Sequence, residues 1–400
     1  MTPAILALNA GSSSIKFALY EQGLSAQRLM FHGLIEDIGE APRFTARAPD
    51  GVIVESRAWG AAAASHEELL KPLLAWITSH LGETTLAAVG HRFVHGGPLF
   101  RRPVRIDASV LAELEKLVPL APLHQPHHLA AVRAMSRLRP DLPQVACFDT
   151  AFHRDMPAVA TNLGLPQTYA SAGVRRYGFH GLSYEYIAGQ LREFAPELAE
   201  GRVIMAHLGN GASLCAMRHG RSIDTTMGFS ALDGLMMGTR CGSLDPGVLL
   251  YLLQAGGLSV SALERLLYQE SGLLGVSGIS SDMRTLLASD SRNASEAINL
   301  FVYRIVKEIG ALASALGGLD ALVFSAGIGE HAAAIRSEVC SGLAWLGVEC
   351  DELANDLHEK LISTIHSAVR VFVIRTDEEA MIARHTVEIM RARSPLGAVA

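Results

Sequence analysis

Two stretches about half a chain apart repeat one pattern, and that echo restricts the fold more than any other feature. Ile5–Leu19 reads Ile-Leu-Ala-Leu-Asn-Ala-Gly-Ser-Ser-Ser-Ile-Lys-Phe-Ala-Leu, and Val203–Met217 reads Val-Ile-Met-Ala-His-Leu-Gly-Asn-Gly-Ala-Ser-Leu-Cys-Ala-Met. Each is an apolar run, a tight turn of small residues and a second apolar run, which predicts a β-hairpin. Such a turn lets backbone N–H groups and hydroxyls approach an anion closely. One copy is equally an ordinary hairpin. Two copies in corresponding places of two halves point to duplicated domains whose phosphate loops face each other.

Around the hairpins the chain alternates strand and helix signals. Helices are predicted over Glu67–His80, Ser109–Val118, His127–Leu138, Ser183–Phe194, Ser261–Glu270, Ala294–Leu316 and Glu378–Met390. Strands are predicted over Leu86–Phe93, Val145–Phe148, Leu322–Phe324 and Val371–Ile374. The mixture argues for an α/β architecture of two layered domains, a number that 400 residues accommodate. The boundary is placed near Asp149–Thr150, giving domains of residues 1–150 and 151–381.

Composition removes several classes. Thirty-four basic against forty acidic residues leave a net charge of −6, which argues against a nucleic-acid or membrane-surface partner. Five scattered cysteines without a C-x-x-C suit reduced, inert thiols rather than a disulfide framework or zinc ribbon. The early apolar stretch Ala4–Leu8 is too short for a signal peptide. Ala311–Gly329 contains Asp320 and reads as a helix end, a turn and a buried strand rather than a membrane span. A soluble, cytoplasmic protein is expected.

The familiar nucleotide motifs are missing. No glycine directly precedes any of the five lysines, so there is no G-x-x-x-x-G-K-[ST] loop, and Gly209-x-Gly211 opens a strand instead of a helix. There is no H-R-D or D-F-G set. Any phosphate cradle must therefore be the hairpin type. A second signal is Leu322–His331, where a buried-looking strand enters a Gly-rich turn ahead of a helix from Ala332. That junction suits a nucleotide's phosphates or adenosine, although steric strand–Gly–helix junctions look the same.

Arginines in Gly-rich or turn contexts form a third signal: Arg92 in Gly90–Gly97, Arg240 in Met237–Gly242 and Arg284 after Ser280-Ser281-Asp282-Met283. Arginine offers a fixed fork of donors for carboxylates and phosphates. Arginine outnumbers lysine 29 to 5, so composition alone supplies some of these, but a charge between apolar strand residues, as at Arg92, is not a solvated surface residue. His124, His127 and His128 lack a carboxylate or cysteine at metal-ligand spacing and read as a loop entering a helix. His180, with glycines close on both sides, sits in a constrained turn.

Together these stretches closely resemble the acetate kinase family, within the superfamily of sugar kinases, heat-shock ATPases and actin. The matching strings run from Asn9-Ala10-Gly11-Ser12-Ser13-Ser14 to Thr376-Asp377-Glu378-Glu379 and so span nearly the whole chain. The most specific are Gly90-His91-Arg92, Phe148–His153, Arg176–Gly181, His207–Ser213 and Gly238-Thr239-Arg240.

The resemblance implies two duplicated ribonuclease-H-like domains with an interdomain active-site cleft. The first domain would be completed by a C-terminal helix at about 382–400, and the second would make most contacts of a homodimer. It also implies reversible transfer of the γ-phosphoryl of ATP to a short carboxylate with Mg²⁺, or possible Mn²⁺. Such an acceptor is already ionised at neutral pH, so the reaction asks for cations and placed donors rather than a base.

By resemblance, Arg92 and Arg240 hold the carboxylate and phosphoryl oxygens, and His180 and Asn210 donate to the phosphoryl in flight. Asn9, Asp149 and Glu378 fix the metal, Asn9 and Glu378 as its ligands. Ser12, Ser14 and Lys16 steer phosphate on the first hairpin. His207, Leu208, Gly209, Asn210, Gly211 and Ser213 do so on the second. Asp282, Met283, Arg284, Gly327, Ile328, Gly329, Glu330 and His331 build the adenosine pocket. Val94, Leu123, Phe179 and Ala231 line the acyl pocket.

The chain departs from the family at four places: Ala231 stands for a proline that narrows the acyl pocket, Ser243 for an aspartate, Tyr184 for a histidine and His331 for an asparagine. These bear on acyl and nucleotide preference. A propionate kinase is the nearest competing reading. A non-catalytic actin-like nucleotide-binding protein is a further one, against which Arg92, His180, Asn210 and Arg240 argue, because nucleotide binding alone needs no acceptor-side cations.

Overall fold

Both hairpins form, and each seeds a sheet. The computed structural model describes residues 2–11, 13–23, 27–58 and 65–392. Strands β1 (Thr2–Ala10) and β2 (Ile15–Gln22) pair antiparallel, with Asn9 opposite Lys16 at the turn. Strands β3 (Gln27–Glu36), β4 (Arg43–Arg47) and β5 (Ile53–Ala58) extend this sheet on one side. On the other side lie β6 (Thr84–Phe93), β7 (Val104–Arg105) and β8 (Gln144–Phe148), giving the order β5-β4-β3-β2-β1-β6-β8-β7. Strands β1, β6 and β8 run parallel. Ala4–Leu8 is buried without alternation, as a strand covered on both faces should be.

The second sheet holds β9 (Arg202–Leu208), β10 (Ala212–Arg218), β11 (Arg221–Thr225), β12 (Ala321–Ser325) and β13 (Arg370–Val373). Its order is β11-β10-β9-β12-β13, with β9, β12 and β13 parallel. This matches β3-β2-β1-β6-β8 strand for strand in order and direction, so the echo in sequence is an echo in topology.

The chain divides into two compact units, one of residues up to Ala151 together with those from Asp377 on, the other Phe152–Thr376. The first has a core built on β1, β2 and the helix His66–His80, with Phe17, Phe44 and Trp76 in contact. The second centres on β9, β10 and the helix Gly181–Phe194. The helix Glu378–Arg391 packs on β1 and β6 of the first unit. Its approach is so close that a Cβ on Gly90 would lie 2.3 Å from Thr386 Oγ1 and 2.5 Å from Ile382 Cγ2. Glycine is therefore required in the Gly-His-Arg string.

Two local expectations need correction. The helix predicted to Val118 ends at Glu115, and Val118–Leu120 forms a separate 3₁₀ turn, because Pro119 has no N–H to donate to the Glu115 carbonyl and so cannot extend the α-helical ladder. The Gly-rich segment after β12 is itself helical, Ala326–His331, with a second helix Ala333–Gly342 following. Glu330 makes this possible, since its carboxylate accepts the Ala326 N–H at 2.8 Å and caps the helix from within. Ala311–Gly329 is the end of helix Arg292–Leu316 followed by β12. Among the described residues no helix is long and apolar enough to cross a membrane.

Candidate active site

In the first unit the candidate residues collect at the carboxyl ends of three adjacent parallel strands, where open α/β sheets place their ligands. Asn9 stands at the end of β1, Arg92 at the end of β6, and Asp149 just past β8. Arg92 donates from Nε to both Asp149 oxygens at 3.0 and 3.1 Å and from Nη2 at 2.6 Å. Its Nη1 lies 2.9 Å from Glu378 Oε2.

Glu378 is in position because Asp377 caps the helix, accepting the Ala380 N–H at 2.8 Å and the Tyr20 hydroxyl at 3.2 Å. The Asp149 side chain is 1% exposed and that of Arg92 17%. Burial alone would lower the guanidinium's pKa, but Asp149 and Glu378 outweigh it and hold the pKa above its ordinary value. Neighbouring Glu379 has its pKa raised by burial and by Glu378, with Lys16 pulling the other way.

Around the first turn, the Gly11 N–H donates to the Ser14 carbonyl at 2.7 Å, and His66 Nε2 lies 2.7 Å from the Gly11 carbonyl. Ser12 lies outside the described residues. Val94 is buried and Leu123 half-buried, both in this unit.

In the second unit His180 takes a left-handed conformation, φ 57 and ψ 23, immediately before the helix Gly181–Phe194. A non-glycine residue is held there only when its surroundings insist, and such residues cluster at functional sites. His153 supplies part of the constraint. Its Nε2 lies 2.9 Å from the Phe179 carbonyl and its Nδ1 2.8 Å from Ser222 Oγ. Burial lowers its pKa to about 4, with the Phe179 contact opposing, so the ring is neutral at pH 7.

The His180 ring stacks on His207 with centroids 4.2 Å apart. His207 Nδ1 meets Ser183 Oγ at 2.9 Å, which in turn accepts from Thr376 Oγ1 at 2.8 Å. Arg240 Nη1 donates to the Ala231 carbonyl at 2.7 Å. Above Gly211, the point a Cβ would occupy is 3.1 Å from Arg240 Nη2 and 3.4 Å from His180 Nε2. A cation and an imidazole thus converge over a bare glycine in the second hairpin turn. Gly238 packs on that turn so tightly that a Cβ would sit 1.9 Å from Asn210 Oδ1, and its N–H donates to the Asn210 carbonyl at 3.0 Å.

Several expected contact residues have other partners. Ser213 is fully buried, with its hydroxyl between His180 and Tyr184, behind the histidine. Leu208 and Met283 are core residues. Asp282 caps the helix Met283–Leu287 and pairs with Arg284 at 2.6 Å on the surface. Besides Ala326, Glu330 accepts the Thr376 N–H at 3.1 Å. Gly327 and His331 are exposed, Ile328 is half-buried and Gly329 buried; Phe179 is buried and Ala231 half-buried.

Sequence reasoning gave no role to Tyr184, Ser183 or His153. The spacing of Tyr184, one helical turn after His180, is the signal that finds it. No group of three or more His, Cys, Asp or Glu side chains among the described residues is arranged to hold a metal ion unaided. Asn9, Asp149 and Glu378 offer oxygen donors, the hard kind that Mg²⁺ takes alongside water and phosphate.

The profile of the Acetokinase family matches residues 4–384. An acetate kinase of Rhodopseudomonas palustris is 56% identical over 390 residues, covering 96% of this chain and 98% of its own length. The crystal structure of Porphyromonas gingivalis acetate kinase superposes with a TM-score of 0.86 at 37% identity, covering 97% of this chain and 100% of that one. A propionate kinase from Francisella tularensis superposes with a TM-score of 0.88 at 38% identity, covering 96% and 99%.

Proposed function

The chain belongs to the acetokinase family, and we propose that it transfers the γ-phosphoryl group of ATP reversibly to acetate, giving acetyl phosphate and ADP. The observation that carries this reading is the convergence of Arg240 and His180 over Gly211. In the step, an acetate oxygen forms a bond to phosphorus in line with the departing ADP oxygen, and the bond from phosphorus to that bridging oxygen breaks. No proton moves, because the acceptor is an anion. The obstacle is the meeting of two anions, and catalysis is charge stabilisation by donors already in place.

Arg240, His180 and Asn210 would serve the phosphoryl oxygens, and Arg92 the acceptor side. Asn9 and Glu378, with Asp149 beside them, would hold Mg²⁺ or Mn²⁺, whose charge offsets that of the phosphates when bound. Ser14 and Lys16 on the first turn, with Gly209 and Gly211 on the second, would cradle phosphate. The adenosine would meet Gly327, Ile328 and His331, with Asp282 and Arg284 at its edge. On this reading the two units are the family's two domains, and Val94, Leu123, Phe179 and Ala231 would surround the methyl group. A cytoplasmic homodimer is part of the same proposal. Exposed Leu250 and Tyr251 on helix Pro246–Gln254 support the dimer, and five cysteines outside any disulfide support the reducing compartment.

Propionate is the second substrate to consider, because Ala231 replaces a ring with a methyl group and one of the structures this chain resembles is a propionate kinase. The test is a panel of short carboxylates with ATP and Mg²⁺, the acyl phosphate trapped with hydroxylamine. Hydroxamate from acetate is expected. Its absence with every carboxylate would overturn the reading.

A further inference from the structure

A histidine that donates to a phosphoryl group must carry its proton on the nitrogen facing that group, and an isolated neutral imidazole places it on either. Behind His180 the structure holds a buried chain of hydroxyls. Ser213 Oγ is 2.8 Å from His180 Nδ1 and 2.5 Å from the Tyr184 hydroxyl, and both Ser213 and Tyr184 are 0% exposed.

Direction follows from counting protons. The tyrosine hydroxyl stays protonated, because burial and then Cys215 raise its pKa well above the usual range. Its one proton, in a site without water access, goes to Ser213 Oγ, the hydroxyl beside it. Ser213 then spends its own proton on His180 Nδ1, which must accept. The imidazole proton is left on Nε2, the nitrogen that points with Arg240 above Gly211. Reversing the chain would strand the tyrosine proton in the core.

We propose that Tyr184 is a positioning residue which, through Ser213, locks His180 into the Nε2–H form that donates to the transferring phosphoryl group. The phosphoryl clause rests on the function proposed above; the lock itself does not. Here tyrosine, at a position where the family resemblance leads one to expect histidine, supplies a donor with only one possible direction.

The test is ¹⁵N NMR of the full chain with labelled histidine, the His180 signals assigned by their loss in His180→Asn. The wild type should show a protonated Nε2 and an unprotonated Nδ1 at pH 7. Tyr184→Phe, which keeps the ring and removes the donor, should shift both signals toward a mixture of tautomers. It should also lower kcat about tenfold with the acetate KM changed less than twofold. Nδ1–H in the wild type overturns the proposal without any variant, so a misfolded Tyr184→Phe does not protect it. Unchanged His180 signals in a folded Tyr184→Phe overturn it as well. An Nε2–H wild type that forms no hydroxamate would leave the lock standing and overturn the phosphoryl-transfer reading instead.

Discussion

Replacing Arg92 with methionine removes a guanidinium that pairs with both Asp149 and Glu378 while keeping much of its apolar stem. Asp149, 1% exposed, then loses three N–H contacts at 2.6 to 3.1 Å and remains a carboxylate inside the protein. Breaking a buried ion pair on one side costs about 3–5 kcal/mol. Arg92 is 17% exposed, and water can reach part of the vacated space, so the lower end, about 3 kcal/mol, applies. Arg92→Met with Asp149→Asn removes that buried charge as well and should return stability to within about 1 kcal/mol of wild type. Neither variant should recover catalysis, with turnover at least ~10²-fold lower. Urea denaturation reads the first quantity and hydroxamate formation the second. A single variant as stable as wild type, or a double variant as unstable as the single, would refute the reasoning.

Other perturbations separate the remaining roles. Arg240→Ala should reduce turnover at least ~10²-fold, with partial rescue by added guanidinium; normal turnover would remove Arg240 from the chemistry. Glu378→Ala should shift the Mg²⁺ titration to higher concentration in a folded protein, whereas an unchanged titration with lowered thermal stability would assign Glu378 to helix capping and the Arg92 pair alone. Ala231→Pro retains the carbonyl that holds Arg240 and narrows the acyl side. Propionate efficiency should fall by roughly tenfold, about one methylene's discrimination, while acetate efficiency holds. Equal loss of both substrates, or of neither, would show that this position does not set acyl size.

What the sequence disclosed was whatever is local and repeated. Hairpin Ile5–Leu19 and hairpin Val203–Met217 announce themselves by apolar runs around small-residue turns, and β12 by an apolar run entering glycines. Strand β5 gives no such signal: Ile53 and Val54 are exposed, and without a buried face there is no alternation to read. The Gly-rich stretch after Ser325 reads as a turn by composition, because the contact that makes it a helix is a carboxylate returning from Glu330. The partnership of Arg92 with Glu378 joins residues far apart in the chain, a distance no periodicity spans. The left-handed backbone at His180 was legible only as a hint from nearby glycines. The hydroxyl chain behind it needs three dimensions, since Ser213 and Tyr184 come from a strand and a helix that share no pattern.

The split of the first unit across both ends of the chain has a bearing on biosynthesis. The second unit is one uninterrupted stretch, Phe152–Thr376, and all of its strands exist once Thr376 has been made. The first unit has its whole eight-stranded sheet early, yet the helix that seats against Gly90 comes from residues 378–391. Until residues 378–391 are made, β1 and β6 lack the helix that packs on them, and Arg92 lacks its Glu378 partner. The unit that is begun first is therefore completed after the other, and a chain cut before residue 378 lacks the helix that packs on β1 and β6.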